Sequence, residues 1–147
     1  MENILNEFLT KNQISYVMEK NSKKTKYYGK AKENKKYSIV LLGDSGSASA
    51  SEVLISSLRD NLNAYFIGEK TYGKGSVQEL VTLSSGSQYK ITTQRWLTPN
   101  LVCVSDTKGI APDKEVVLSD EYYKTLKNPS INTETNEMCS MKNKQIN

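Results

Sequence analysis

The sequence of 147 residues contains no histidine. Catalysis by a Ser-His-Asp or Cys-His set within this chain is therefore excluded, and so are metal sites with histidine ligands. Any proton transfer must depend on lysine, aspartate, glutamate, tyrosine or cysteine side chains. This absence narrows the possible chemistry more than any other feature of the composition.

Cysteine and long apolar runs are also scarce. Cys103, in a predicted strand, and Cys139 form no CxxC pair, so free thiols are the default and neither a metal site nor a disulfide framework follows. No apolar run approaches the roughly 20 residues of a membrane span. The amphipathic, acidic start MENILNEFLTKN is not a signal peptide. We therefore expect no cofactor, no metal site and no membrane span in this chain.

Apolar residues make up only 37% of the sequence, and the shortfall lies at the two ends, where Lys, Asn, Ser and Thr accumulate. The net charge of +4 is mild. The lysines of these ends are mixed with Asn, Glu and Ser and lack aromatic or arginine patterning, which is typical of solvated surface. We expect no nucleic-acid partner.

The ends of the chain are predicted to flank a central core. Residues 2–12 carry an apolar helical stripe, and residues 14–30 alternate as an exposed hairpin with its turn at 21–24. We interpret residues 1–37 as a lead-in to the core and residues 38–118 as the core itself. Residues 119–147 form a polar tail, with 128–147 predicted to be disordered.

The core begins with strand, helix and strand. The apolar run 38–42 predicts a strand covered on both faces, and AYFIG at 64–68 predicts a second one. Between them Ser49 and Glu52 have capping-box spacing, which places Ser49 at or very near a helix N-terminus and makes Glu52 a cap rather than an acid. Short connections between these elements favour a right-handed βαβ unit in a mostly parallel sheet, an α/β fold.

The second half of the core is predicted to be β structure. Strands are expected at 77–83 and 88–97, with a hairpin turn at 84–86. Residues 98–112, which carry two prolines and a glycine, are predicted to be loop with a short strand.

Three interpretations compete for the Gly/Ser and Gly/Lys clusters of the core. Gly68–Lys74 matches the phosphate-binding pattern G-x-x-x-x-G-K, but Gly75 stands where Mg²⁺ binding needs Ser or Thr, and a strand follows instead of a helix. The second interpretation is structural: small residues pack a helix N-terminus on the sheet, and GKG is a turn. The third is a nucleophilic serine with a lysine base.

The third interpretation has a physical basis. A serine at a helix N-terminus lies near the positive end of the helix dipole and near free backbone N–H groups, which stabilise an oxyanion. Without histidine, a lysine can act as the base if its environment favours the neutral amine. Lys74, between two glycines, is the candidate, and Gln78 could orient its amine without adding charge.

Several motifs in one collinear order carry a resemblance to the C-terminal processing peptidases, or tail-specific proteases. These motifs are SASASE, then GEKTYGKGSVQ, then a strand ending in TP, then GIAPD, and together they cover roughly residues 38–118. The resemblance implies the crotonase/ClpP-like layered sheet-and-helix core of these proteases. It also implies serine endopeptidase activity near substrate C-termini.

The resemblance also implies site roles. Ser49 corresponds to the nucleophile, Lys74, 25 residues later, to the base, and Gln78 to the residue that positions the lysine. The backbone N–H of Ala50 is one oxyanion donor. Structural positions follow for three further residues: Ser47 in the turn, Ser51 in the first helical turn and Tyr72 beside the lysine loop.

The front of the chain departs from the family pattern. Members of the family carry a signal or membrane anchor, a PDZ domain that captures substrate C-termini, and a strand with a Gly-Gly turn that supplies a second oxyanion donor. None of these is recognised here, so we expect a core truncated at its N-terminal side, with Met1 at an internal position of a longer parent. The alternative function is a non-catalytic or weakly active fragment with a peptide-binding groove.

The resemblance further implies partners and a location. The expected partners are peptide or protein substrate C-termini, together with a second copy of the chain or the missing N-terminal half of the protease. The expected location is extracytoplasmic, at the periplasm or cell surface.

Overall fold

The computed structural model describes residues 1–34 and 36–119. Residues 1–116 form one compact unit, and a second unit begins at residue 117. The elements in chain order are α1 (Glu2–Phe8), β1 (Ile14–Lys20), β2 (Lys23–Tyr28), β3 (Val40–Gly43), α2 (Ala50–Leu62), β4 (Tyr65–Gly68), β5 (Ser76–Thr82), β6 (Gln88–Leu97) and β7 (Lys114–Glu115). Neither of the two described helices is both long enough and apolar enough to cross a membrane.

A parallel sheet of three strands has the order β3-β4-β7. β3 and β4 pair in register from Val40 with Tyr65 to Gly43 with Gly68, and β7 pairs with the end of β4. Helix α2 connects β3 to β4, so the predicted strand–helix–strand unit is confirmed. The helix begins immediately after Ser49, as the capping-box spacing predicts.

An antiparallel sheet of four strands has the order β2-β1-β6-β5. β5 and β6 form the predicted hairpin, and its turn closes with a 2.9 Å hydrogen bond from the N–H of Gly86 to the carbonyl of Leu83. The expectation of one mostly parallel sheet is therefore wrong for this half of the fold. Tight turns join β1 to β2 and β5 to β6, which requires antiparallel strands, and β1 and β6 also pair antiparallel.

Helix α2 contacts β1 of the antiparallel sheet and β4 of the parallel sheet. The hydroxyl of Ser57 donates to the carbonyl of Ser15, and the side-chain amide of Asn61 donates to the carbonyl of Ile14 at 2.9 Å. The core cluster around the helix consists of Leu5, Leu9, Tyr16, Val53, Leu58, Ala64, Trp96 and Val104. The fold is the predicted α/β core in which sheets and helix are layered.

One face of the parallel sheet is uncovered in the described part of the chain. Side chains alternate along a strand, so Leu41 packs against the core while its neighbours point to the other face. On that face Val40, Leu42 and Tyr65 are 57%, 79% and 46% exposed. The prediction that β3 and β4 are covered on both faces is therefore wrong, because no described element lies over these side chains.

The N-terminal segment is more deeply integrated than an exposed lead-in. β2 is exposed along its whole length, as predicted for the hairpin, but β1 is an inner strand and its Val17 is completely buried. Leu5 of α1 and Leu9, which follows the helix, lie in the same core cluster as Val53 and Leu58 of α2. The division of the chain at residue 37 stays a prediction.

Cys103 is buried and free, and it lies in the loop after β6 rather than in a strand as predicted. Cys139 and the predicted disordered segment 128–147 lie outside the described residues.

Candidate active site

The turn between β3 and α2 presents Ser49 at the head of the helix. Asp44 holds the turn, because its carboxylate accepts the N–H of Gly46 at 3.0 Å and the hydroxyl of Ser47 at 2.9 Å. Ser47 is thus a turn serine, as predicted. Ser49 then adopts φ 56° and ψ −110°, a conformation that residues other than glycine rarely take. A strained serine between a strand and a helix is typical of nucleophile turns.

Ala50 and Ser51 open helix α2. Amides in the first turn of a helix have no carbonyl partner within the helix and lie at the positive end of its dipole. The N–H of Ala50, next to Ser49, therefore has the chemistry of an oxyanion donor. Ser51 is a residue of the first helical turn, as predicted, and its N–H donates to the carbonyl of Ala48 at 3.1 Å.

Lys74 lies in the loop between β4 and β5, and its backbone is anchored on both sides. Its N–H donates to Oε2 of Glu52 at 2.9 Å, and its carbonyl accepts the indole N–H of Trp96 at 2.9 Å. The N–H of Gly75 donates to the hydroxyl of Ser105 at 2.9 Å. Lys74 as a whole residue is nevertheless exposed, although its backbone is fixed by these bonds. Strand β5 follows this loop, as predicted, where a phosphate-binding loop would be followed by a helix.

The structure brings the backbones of Ser49 and Lys74 together through Glu52. One oxygen of Glu52, Oε2, accepts the N–H of Ser49 at 2.8 Å and the N–H of Lys74 at 2.9 Å. These two distances limit the separation of the two backbone nitrogens to about 5.7 Å.

The two remaining predicted positions behave differently. Gln78 is exposed on β5, and its side-chain amide donates to the hydroxyl of Thr92 at 3.4 Å, across the hairpin rather than towards Lys74. Tyr72 is 67% exposed, and its N–H donates to the carbonyl of Ser47 at 2.9 Å. Tyr72 thus ties the lysine loop to the serine turn through its backbone, while its ring remains largely open to solvent.

Sequence reasoning identified Glu52 only as a helix cap. The residue is completely buried, and besides Ser49 and Lys74 it accepts the hydroxyl of Thr71 and the N–H of Gly73, each at 2.6 Å. The capping-box spacing indicated the bond to Ser49, which is local in sequence. No signal in the sequence indicated the three bonds to residues 71–74, or the contacts of Trp96 and Ser105 with the same loop.

A cavity of about 690 Å³ lies near the C-terminal end of α2, and its lining includes neither Ser49 nor Lys74. Two charged side chains of the lining form a salt bridge, with Nη2 of Arg59 2.5 Å from Oδ1 of Asp113. Burial raises the pKa of the Asp60 carboxyl, although a hydrogen bond from Asn100 and the charge of Arg59 act in the opposite direction. The cavity is thus separate from the candidate active site.

Within residues 1–34 and 36–119, no cluster of three or more aspartate, glutamate or cysteine residues could hold a metal ion.

Comparison with known proteins gives a consistent result. Residues 1–116 match the model of Peptidase family S41. The carboxy-terminal processing protease CtpB of Bacillus subtilis is 38% identical over 113 residues, which are 76% of this chain and 23% of that protein. A probable CtpA-like serine protease of Staphylococcus saprophyticus is 38% identical over 114 residues, again 76% of this chain and 23% of that protein.

A solved structure extends the comparison to the fold. The photosystem II D1 C-terminal processing protease superposes with a TM-score of 0.71 at 29% identity, covering 79% of this chain and 30% of that one. The chain spans 23% of the length of each of the two curated relatives, CtpB and the CtpA-like protease. Because the family match covers most of the chain and the fold agrees, the chain belongs to peptidase family S41.

Proposed function

We propose that this chain carries the catalytic centre of a serine endopeptidase of the C-terminal processing type. Ser49 is the nucleophile, Lys74 the general base, Gln78 the residue that orients the lysine amine, and the N–H of Ala50 an oxyanion donor. The observation that carries the proposal is that the N–H groups of Ser49 and Lys74 both donate to Oε2 of Glu52. These two hydrogen bonds hold side by side two segments that lie 25 residues apart in the sequence.

The reaction follows from these groups. The neutral amine of Lys74 takes the hydroxyl proton as the oxygen of Ser49 attacks the peptide carbonyl. The N–H of Ala50 stabilises the resulting oxyanion. When the tetrahedral intermediate collapses, the C–N bond breaks and the leaving amine receives the proton from Lys74. Water then hydrolyses the acyl-enzyme, and Ser49 regains its proton.

The proposed role of Gln78 requires its side chain to leave Thr92. The hydrogen bond between them is long, at 3.4 Å, and lies on the exposed surface of the hairpin. A bond of that length and exposure contributes little to stability, so reorientation towards Lys74 costs little.

The test is cleavage of a peptide with a hydrophobic C-terminal tail at neutral and alkaline pH. We expect the wild type to cleave faster as the pH rises, because the base must be neutral, and we expect Ser49→Ala and Lys74→Ala to be inactive. The chain offers matched controls, since Ser51→Ala and Lys70→Ala remove an exposed serine and an exposed lysine from the same two segments. Equal activity in Lys74→Ala and Lys70→Ala would refute the lysine base.

The alternative proposal is a weakly active or non-catalytic fragment that keeps the fold and a peptide-binding groove. The uncovered face around Val40 and Leu42 favours it. In this alternative the second oxyanion donor is supplied by another polypeptide. Its absence raises the barrier to acylation on the order of 3 kcal/mol, which lowers the rate a hundredfold or more.

The same assay separates the two proposals. A folded wild-type chain without activity, and a gain in hydrolysis when the upstream part of a protease core is added, would support the fragment. Substitution of Leu42 by serine should reduce that gain if the upstream part binds the uncovered face. If hydrolysis does not increase when the upstream part is added, the result would count against the proposal that half of the protease core is missing.

We also propose a location outside the cytoplasm and substrate C-termini as the partners, both from membership of the family. Fractionation of cells that produce the chain tests the location.

A further inference from the structure

Glu52 is the most completely hydrogen-bonded carboxylate near the candidate active site. It is 0% exposed, and each of its two oxygens accepts two hydrogen bonds. Oε1 binds Thr71 and Gly73 from the lysine loop. Oε2 binds Ser49 from the helix and Lys74 from the loop. All four partners are donors, so the arrangement matches an ionised carboxylate, which only accepts.

The direction of the bond from Thr71 is also determined. The hydroxyl of Thr71 accepts the N–H of Ile110 at 2.8 Å, which leaves its own proton to donate to Glu52 at 2.6 Å. The N–H of Thr71 in turn donates to the carbonyl of Ile110 at 3.1 Å. Glu52 therefore connects three segments: the head of α2, the lysine loop and the loop before β7.

We propose that Glu52 is a positioning residue for the serine–lysine pair, an inference that rests on the proposed function. Its carboxylate accepts the N–H of Ser49, whose backbone is strained, and the N–H of Lys74 on one oxygen, and so holds the two backbones at one separation. The residue acts through Ser49 and Lys74 and does not itself take part in proton transfer. Displacements of about 1 Å at a reacting centre can cost on the order of a hundredfold in rate.

Glu52→Gln is the informative change because it keeps the shape of the side chain. An amide has one accepting oxygen, so two of the four donors would face an NH₂ group and lose their bond. Glu69→Gln is the matched control, since Glu69 lies in the same loop region and its carboxylate accepts one hydrogen bond among the described residues, from the N–H of Ser45 at 3.3 Å. Thr71→Val and Thr71→Ser form a second pair of variants. Thr71→Val removes the hydroxyl that donates to Glu52, and Thr71→Ser keeps it.

The kinetic experiment measures kcat and KM per folded molecule in the full 147-residue chain. We expect Glu52→Gln to lower kcat on the order of a hundredfold with KM within about twofold. Thr71→Val should lower kcat about tenfold, because one charge-assisted hydrogen bond is lost. Thr71→Ser and Glu69→Gln should keep the kcat of the wild type. A purely structural role would reduce the folded fraction and leave kcat per folded molecule unchanged, and that result would overturn the proposal.

Amide hydrogen exchange gives a readout that does not depend on activity. The amides of Ser49, Gly73 and Lys74 should lose protection together in Glu52→Gln and keep it in Glu69→Gln. Independent behaviour of these amides would overturn the proposal even if the enzyme were active. If the wild type cleaves no peptide, the proposed function fails, and the exchange experiment alone decides whether Glu52 holds the two segments together.

Discussion

The substitution Gly109→Ala tests how tightly the loop before β7 is packed against the lysine loop. Gly109 has φ +100°, and a methyl group added there would lie 2.0 Å from the carbonyl oxygen of Thr71. Contacts of that kind are not found below 3.0 Å, so one backbone must move by about 1 Å. The hydroxyl of Thr71 donates to Glu52, and movement of Thr71 is therefore transmitted to the candidate active site.

Gly86→Ala is the control that separates backbone strain from the clash. Gly86 has φ +84°, and a methyl group there would meet nothing within 4 Å. The left-handed conformation costs alanine about 1–2 kcal/mol, and the lower entropy of the unfolded chain returns about 0.4–1 kcal/mol. We therefore expect Gly86→Ala to lower the free energy of unfolding by about 1 kcal/mol.

Gly109→Ala carries the same strain and, in addition, the cost of overpacking. Forcing a methyl group into a filled space costs about 1–3 kcal/mol, which brings the expected loss to about 2–4 kcal/mol. For a unit of this size, 1 kcal/mol corresponds to roughly 3–5 °C in Tm. The expected decreases in Tm are thus roughly 3–5 °C for Gly86→Ala and about 10 °C for Gly109→Ala.

Thermal unfolding followed by far-UV circular dichroism measures both decreases. Trp96 supplies a local probe, because it is the single tryptophan and its indole donates to the carbonyl of Lys74. Its emission at low temperature should change in Gly109→Ala and not in Gly86→Ala. Equal decreases in Tm for the two variants would refute the reasoning, since they would show that no close contact exists between Gly109 and Thr71.

Two further predictions concern acidic residues. Asp113 accepts the N–H of buried Phe66 at 2.7 Å and pairs with Arg59. Asp113→Ala should therefore lower the free energy of unfolding by about 2–3 kcal/mol, and Arg59→Ala by about 1 kcal/mol or less. Urea denaturation measures both losses, and equal losses would contradict the role of the hydrogen bond to Phe66. Burial raises the pKa of Asp60, so the folded state binds its proton more tightly and the charged form destabilises the fold. Asp60→Asn should therefore raise Tm at pH 7, with a gain that fades as the pH falls through the raised pKa of Asp60 and is gone below about 4, the ordinary aspartate value; a gain independent of pH would show another cause.

Local features of this fold were predictable because their causes are local. Capping depends on residues three positions apart, and the start of α2 after Ser49 is confirmed. The hairpin between β5 and β6 follows from a short turn between two alternating runs, and it is confirmed as well. The family was recognisable from motifs such as SASASE and GKG, and residues 1–116 match it.

Arrangement across the sheets was less predictable. An apolar run such as 38–42 indicates a strand, but it does not indicate which elements cover the two faces, so the exposure of Leu42 at 79% was missed. The burial of β1 was missed for the same reason, because its neighbour β6 lies about 75 residues later in the chain.

The sequence by itself determined the family, the start of helix α2 and the residue types available for catalysis. The absence of histidine limits the base, and the motifs single out Ser49 and Lys74. The tertiary structure alone revealed that Glu52 joins these two residues and that Gln78 instead bonds to Thr92. The physical reason is that a buried carboxylate must find its donors wherever the packed chain supplies them, and those donors come from loops whose spacing in sequence carries no periodicity.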